Sequence, residues 1–133
     1  MKTKKQLLYP ELSYEIVGAL FEVYNQLKYG HREKIYQKAL IEQLAEKKIN
    51  FQREQYYPVK FNNKIISRYY VDFLIENKIV LEIKVAQDFY QKDINQLLSY
   101  LKFENFELGI LAIFSKEGIK YKRILNDIRE DSE

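Results

Sequence analysis

The spacing of apolar residues changes once along the chain, and this change limits the folds that are open to it. Before residue 51, apolar residues recur at helical spacing. From Phe51 to Ile83 the period falls to two, and β-branched and aromatic residues dominate. Three runs carry this pattern: Tyr56–Phe61, Ile65–Ile75 and Lys78–Val85. Short polar stretches at 62–64 and 76–78 separate them as hairpin turns do, so the sequence predicts a three-stranded meander.

Two helical patterns precede the meander. The first extends from Ser13 to about Tyr29, and Gly30 follows it as a candidate left-handed stop. The second places Ile35, Ala39, Leu40 and Leu44 on one face and runs to the Lys47–Lys48 pair. We therefore expect two amphipathic helices before the first strand.

One helix and one buried strand follow the meander. Residues 91–104 carry a third helical pattern, and the apolar run 108–114 is typical of a strand that is buried on both faces. A strand–helix–strand passage after a meander implies an α/β fold, with helices packed against a mixed β-sheet. Whether residues 119–125 add an edge strand stays open at this point.

Length and composition exclude several classes of protein. The 133 residues suit one domain, residues 1–133, with a core of about residues 12–125, a Lys-rich start and an acidic end. The chain has no cysteine and a single histidine, His31, so acid–base chemistry must rest on carboxylates, lysines or tyrosines. No apolar run approaches the roughly 20 residues that span a bilayer, so we expect a cytoplasmic protein with no membrane partner. The net charge of +3 is compatible with a polyanionic partner without proving one.

Two charged residues interrupt the apolar strand 79–85. Glu82 and Lys84 are two residues apart and therefore share a face, where burial of an unpaired charge is costly. They could neutralise each other. Alternatively, a turn centred on Asn77 makes paired residue numbers sum to about 154, which sets Asp72 opposite Glu82 and Tyr70 opposite Lys84. A shorter, two-residue loop would instead put Asp72 on the other face.

Two opposed carboxylates repel each other unless a positive charge lies between them. A divalent cation is the natural candidate. Oxygen ligands on a rigid sheet suit Mg²⁺ or Mn²⁺ better than zinc.

Three motifs resemble those of one known group of proteins. Asp72 followed by Glu82-Ile83-Lys84 resembles the D…(D/E)-x-K signature of the PD-(D/E)XK nuclease superfamily, although Val71 stands where that superfamily often has proline. Residues 30–36, with Gly30, Glu33 and Tyr36, match the G-x-x-E-x-x-Y motif of the GxxExxY family within it. Gln96 and Tyr100 match a Q-x-x-x-Y motif on the helix after the catalytic strand. The resemblance covers about residues 12–125.

The resemblance implies a restriction-endonuclease-like fold and a nuclease that acts on DNA in preference to RNA. Hydrolysis would use a water activated by Mg²⁺ or Mn²⁺, which Asp72, Glu82 and Glu33 would hold. Lys84 would stabilise the charge that develops on the phosphate, and Gln96 would position the water or the phosphate. Tyr36 and Tyr100 would lie behind these groups or touch the substrate.

Simpler interpretations remain open for the same residues. Glu33 in the first turn of a helix would be favoured by the helix dipole alone, and Gln96 and Tyr100 could simply hydrogen-bond to each other. The chain could also be a catalytically silent module that binds nucleic acid or protein, because 133 residues leave little beyond the core fold. A homodimer formed through exposed tyrosines is a further alternative.

Overall fold

The computed structural model describes residues 8–126, and the Lys-rich start and most of the acidic end lie outside this range. The described part forms these elements in chain order: α1 (Pro10–Leu27), α2 (Glu33–Glu46), β1 (Phe51–Phe61), β2 (Lys64–Ile75), β3 (Ile79–Val85), α3 (Gln91–Glu104), β4 (Leu108–Ser115) and β5 (Gly118–Leu125). The predicted meander, the third helix and the buried strand are all present. None of the helices in the described range is both long and apolar enough to cross a bilayer.

The five strands form one mixed sheet in the order β1-β2-β3-β4-β5. Strands β3 and β4 are parallel, and helix α3 makes the crossover between them. All other neighbours are antiparallel, and β5 pairs with β4 along its whole length, so residues 118–125 do form the edge strand. The predicted α/β fold, with helices against a mixed sheet, is confirmed.

Helices cover both faces of the sheet. On one face, α1 and α2 pack against β2, β3 and β4 through side chains that include Leu20, Tyr36 and Leu40. On the other face, α3 packs through Leu97, Tyr100 and Leu101. All eight residues of β4 are buried, because this strand lies between the two layers of helices. Burial of each large apolar side chain contributes about 1.5–3 kcal/mol.

Two details of the predicted helices are wrong. Helix α1 begins at Pro10, and the residue with positive φ that directly ends it is Lys28, with a φ of 62°, rather than Gly30. Helix α2 starts at Glu33, and its buried residues Tyr36, Leu40 and Leu44 are spaced by four positions. Ile35 is offset from this row by about 100° and remains 38% exposed.

The loop between α1 and α2 is held by a glycine and a tyrosine. Gly30 has a φ of 120°, a backbone conformation that residues with a side chain rarely adopt. The Tyr36 hydroxyl donates to the carbonyl of Lys28 at 2.6 Å and accepts from the amide of His31 at 3.4 Å. The Tyr36 ring stacks on Phe114 of β4, with ring centroids 4.1 Å apart. The loop therefore delivers Glu33, the first residue of α2, to a fixed place beside the sheet.

We expect Gly30→Ala to lower the free energy of unfolding by about 1–3 kcal/mol, because the added Cβ strains a backbone with positive φ. Gly18→Ala is the matched control, since Gly18 lies in α1 with open space around its missing Cβ. That control should gain about 0.5–1 kcal/mol. Urea unfolding of both variants measures the difference, and equal stabilities would contradict this account of the loop.

Candidate active site

Strands β2 and β3 separate where the sequence predicts a carboxylate pair. They pair only at Phe73–Leu81, Leu74–Val80 and Ile75–Ile79, and the partner numbers sum to 154 as predicted. Beyond Phe73, β2 pairs with β1 alone, whereas β3 continues beside β4. The prediction that Tyr70 lies opposite Lys84 is therefore wrong, because the two strands have already diverged.

The side chains of Asp72 and Glu82 fill the point of separation. The backbone amide of Asp72 donates to Oε1 of Glu82 at 2.7 Å, and the amide of Ile83 donates to Oδ2 of Asp72 at 2.8 Å. In a regular ladder, backbone carbonyls would accept such bonds. The hydroxyl of Tyr69 also donates to Oε2 of Glu82, at 3.3 Å. The two carboxyl groups thus face each other across the gap between β2 and β3, as the register predicts.

Both carboxyl groups titrate at higher pH than usual. Burial, followed by the negative charge of Asp72, raises the pKa of Glu82 to about 8, even though the Asp72 amide and Lys84 act in the opposite direction. Glu82 is only 5% exposed. Burial also raises the pKa of Asp72, against the Ile83 amide and Lys84. Two buried groups that resist ionisation in this way favour a cation beside them.

Lys84 faces the carboxylates without a direct ion pair. Its positive charge lowers the pKa values of Asp72, Glu82 and Glu33, so the ammonium group lies near all three. Within residues 8–126, however, Lys84 Nζ has no carboxylate oxygen within 4.0 Å. Mutual neutralisation of Glu82 and Lys84 by direct contact is therefore not how the structure accommodates these charges.

Glu33 joins this group from helix α2, which packs on one face of the sheet. It is half-buried at the start of α2. Burial, followed by the charge of Asp72, raises its pKa, while Lys84 and a hydrogen bond from the Val85 amide lower it. The helix dipole alone does not account for this environment, because the charges of Asp72 and Lys84 and the end of β3 also act on Glu33.

The donor atoms fit a hard divalent cation, although no three-ligand site is preformed. Among the described residues, no group of three or more His, Cys, Asp or Glu is arranged to hold a metal ion. The set of Asp72, Glu82 and Glu33 is therefore not assembled as one. Asp72 and Glu82 still supply oxygen ligands whose charged forms need compensation. Mg²⁺ often binds through only one or two carboxylates, with water and substrate phosphate completing its shell.

The other predicted residues lie farther from the carboxylates. Gln96 is exposed on α3, and no hydrogen bond links it to Tyr100. It lies one turn after Asp93, whose charge contributes to the raised pKa of Glu33, so the first turns of α3 approach the site. Tyr100 and Tyr36 are both buried, and Tyr100 approaches the carboxylates only through its contact with Tyr69. Neither tyrosine is accessible to a substrate.

Arg53 is a site residue that the sequence analysis missed. Its Nε donates to the backbone carbonyl of Asp72 at 3.2 Å, and its guanidinium lies 4.8 Å from the ring centroid of Phe73. Its other branch donates to Gln37, which in turn donates to Glu33 at 3.5 Å. The predicted first strand began at Tyr56, so Arg53 fell outside it. A strand start at Phe51 would have placed Arg53 beside the predicted site.

Comparison with known proteins identifies the group to which the fold and motifs belong. The family model of the PD-(D/E)XK nuclease superfamily matches residues 10–124. The chain belongs to this superfamily. Its mixed five-stranded sheet and three described helices are consistent with the restriction-endonuclease-like fold.

Two solved structures are similar to the chain. The crystal structure of SSO0001 has a TM-score of 0.56 at 15% identity and covers 91% of this chain and 80% of its own. The crystal structure of an alkaline exonuclease from Laribacter hongkongensis has a TM-score of 0.49 at 10% identity, covering 90% and 85%. At such identities the likeness to SSO0001 shows the fold alone. No curated protein matches the chain.

Metal-free protein should lose stability as the pH rises. A folded-state pKa of about 8 for Glu82, above its ordinary 4.5, means that the native state keeps a proton that the unfolded chain releases. The free energy of unfolding should therefore fall between about pH 5 and pH 8, by at most about 1.4 kcal/mol per pH unit for one proton. Urea unfolding in EDTA at several pH values measures this slope.

In the variant Glu82→Gln, the free energy of unfolding should fall less steeply with pH, because the variant removes the buried ionisable group. The Gln amide oxygen can still accept the hydrogen bond from the Asp72 backbone amide. Glu42→Gln is the control, since Glu42 is exposed on α2. A wild-type stability that stays level over the same range would show that Glu82 is not held protonated.

Proposed function

We propose that this chain is a nuclease that depends on Mg²⁺ or Mn²⁺ and hydrolyses phosphodiester bonds of DNA in preference to RNA. The observation that carries the proposal is the buried Asp72–Glu82 pair with the Lys84 ammonium beside it. Membership of the PD-(D/E)XK nuclease superfamily supports nucleic acid as the partner. A single domain and a cytoplasmic location remain part of this proposal.

Asp72 and Glu82 would hold the metal ion, which when bound polarises the phosphate and lowers the pKa of a water molecule. Lys84, kept out of a direct ion pair, would stabilise the negative charge that develops on the phosphate during attack. Glu33, which is influenced by both Asp72 and Lys84, would bind the metal ion through a water molecule or would orient that water. Gln96, exposed on the helix that approaches Glu33, would position the water or the phosphate.

The cost of the site supports a chemical role for it. Burial raises the pKa of both carboxyl groups, and the charge of Asp72 raises the pKa of Glu82 further, so ionisation of the pair destabilises the folded protein. Well-packed apolar residues in their place would be neutral or stabilising for the fold. A structural role alone would therefore be served better by residues other than Asp72 and Glu82.

We also propose that the chain belongs to the GxxExxY family within the superfamily. The three residues of the motif have connected roles: Gly30 supplies a backbone turn with positive φ, Tyr36 fixes that turn by hydrogen bonds, and Glu33 reaches the carboxylate pair. The spacing of the three motif residues thus places the Glu33 carboxylate beside the end of β3.

The test is a cleavage assay with single- and double-stranded DNA and RNA in Mg²⁺ or Mn²⁺. We expect Glu82→Gln and Asp72→Asn to abolish cleavage, and Lys84→Ala to lower kcat by about 100- to 1,000-fold, as loss of one preorganised charge does. Each substitution removes charge from the site without removing a large apolar side chain.

Glu42→Gln on the exposed face of α2 is the matched control and should cleave as the wild type does. Thermal unfolding checks that each variant is folded. Full activity in both Glu82→Gln and Lys84→Ala would refute the site. Wild-type protein that binds the oligonucleotides and metal without cleaving them would favour the binding-module alternative.

A further inference from the structure

Part of the β1–β2 hairpin extends beyond the rest of the sheet. Residues 56–70, here called the arm, pair only with each other, because β3 stops pairing with β2 at Phe73. Most of the arm is exposed, and it carries five of the twelve exposed large hydrophobic side chains of the described range. These five are Tyr56, Phe61, Ile65, Ile66 and Tyr70. Such a surface is more apolar than a solvated hairpin requires.

The two faces of the arm near its base differ. On one face, Tyr57 and Tyr69 pack against α3, where Tyr57 stacks on Phe103 with ring centroids 4.3 Å apart. On the other face, Tyr56 and Tyr70 are cross-strand partners, with ring centroids 5.3 Å apart and about half of each side chain exposed. The packed face fixes the arm to the core, so the free tyrosine pair is held in a defined position.

The charge of the arm is entirely positive. Lys60, Lys64 and Arg68 are exposed, and residues 56–70 contain no Asp or Glu. The arm therefore carries +3, which equals the net charge of the whole chain. This charge complements a polyanion. It opposes a pairing of two arms in a dimer, which would bring six cations together.

The tyrosine pair also lies next to the carboxylates. Tyr70 is two residues before Asp72 in β2, a separation of roughly 7 Å along a strand. A nucleotide stacked on the pair would place its neighbour's phosphate within reach of the Asp72–Glu82 site. Base faces are available for stacking on a side chain only where the strand is unpaired.

We propose that the arm binds a single-stranded stretch of nucleic acid, with bases stacked on Tyr56 and Tyr70 and phosphates held by the arm's cations. The inference rests on the proposed nuclease function for the identity of the site that this strand enters. It assigns to the protein a preference for unpaired nucleotides next to the bond that is cut.

The test measures binding of a fluorescein-labelled oligothymidylate of about 12 nucleotides by fluorescence anisotropy, in EDTA so that no cleavage interferes. We expect Tyr70→Ala and Tyr56→Ala each to weaken binding by about 5- to 150-fold, as loss of one stacking contact does. A blunt duplex of the same length should bind the wild type more weakly than the single strand does.

Four further variants separate stacking from other effects. Tyr70→Phe keeps the ring and should bind as the wild type does, whereas Tyr70→Leu keeps an apolar group without the ring and should bind weakly. Tyr14→Ala removes a tyrosine that is 77% exposed on α1 and should have no effect. Arg68→Gln should reduce the slope of log affinity against log salt by about 0.7, the value for one phosphate contact on a single strand.

Three results would overturn the inference. The first is unchanged oligothymidylate affinity in the double variant Tyr56→Ala/Tyr70→Ala, with folding confirmed by circular dichroism. The second is a duplex that binds as tightly as the single strand. The third is a dimeric mass by light scattering that falls to that of a monomer in Ile66→Ser, which would make the arm a contact between two copies.

Failure of the inference is distinguishable from failure of the proposed function. If the wild type cleaves DNA and the arm variants bind and cleave equally well, the arm has no role and the nuclease function stands. If the arm variants lose binding while the wild type never cleaves, the arm binds nucleic acid and the nuclease function falls. If the nuclease function and the role of the arm are both correct, the arm variants should have a raised KM with little change in kcat.

Discussion

The burial of two facing carboxylates determines the shape of this sheet. The carboxyl groups of Asp72 and Glu82 each accept a hydrogen bond from a backbone amide that would otherwise donate to a carbonyl of the neighbouring strand. Strands β2 and β3 therefore cannot continue side by side. An unsatisfied carboxylate in this position would cost several kcal/mol, and the reciprocal amide bonds reduce that cost without removing the repulsion. The separation of the strands is therefore a direct consequence of placing two charges inside a sheet.

The rest of the structure follows from that separation. The end of β3, released from β2, presents the Val85 amide to Glu33, and β4 supports it on its other side. On the opposite side of β2, Glu54 of β1 has a left-handed φ of 53°, and Nε of Arg53 donates a hydrogen bond to the Asp72 carbonyl. Both backbone groups of Asp72 are thus bound by side chains. Beyond this point β1 and β2 have no other strand as a hydrogen-bonding partner, which produces the exposed arm.

The sequence predicted the order of elements well because their signals are local. The pattern in residues 91–104 predicts the helix that α3 forms. The position of one turn predicts the register of β2 and β3, in which paired residue numbers sum to 154. The register alone does not reveal that pairing stops at Phe73, since the backbone amides of Asp72 and Ile83 donate to side-chain carboxylates, and such bonds leave no periodic pattern in the sequence. The polar stretch before Tyr56 likewise hid the start of β1, and with it Arg53. The sequence predicts Gly30 only as a helix stop, because the role of Tyr36 in holding its loop depends on a contact that forms only in the fold.

The position of Lys84 bears on whether the carboxylate pair serves stability alone or the chemistry that we propose for it. A direct ion pair with Glu82 would be the simplest way to offset two buried charges of opposite sign on one face of a strand. The structure instead directs the two carboxyls toward backbone amides and leaves the ammonium beyond ion-pair distance of any carboxylate in residues 8–126. The Lys84 ammonium and the two carboxyls are close but make no direct contact. Such an arrangement favours a ligand that carries both a cation and an anionic oxygen. A phosphate with its divalent ion has this composition.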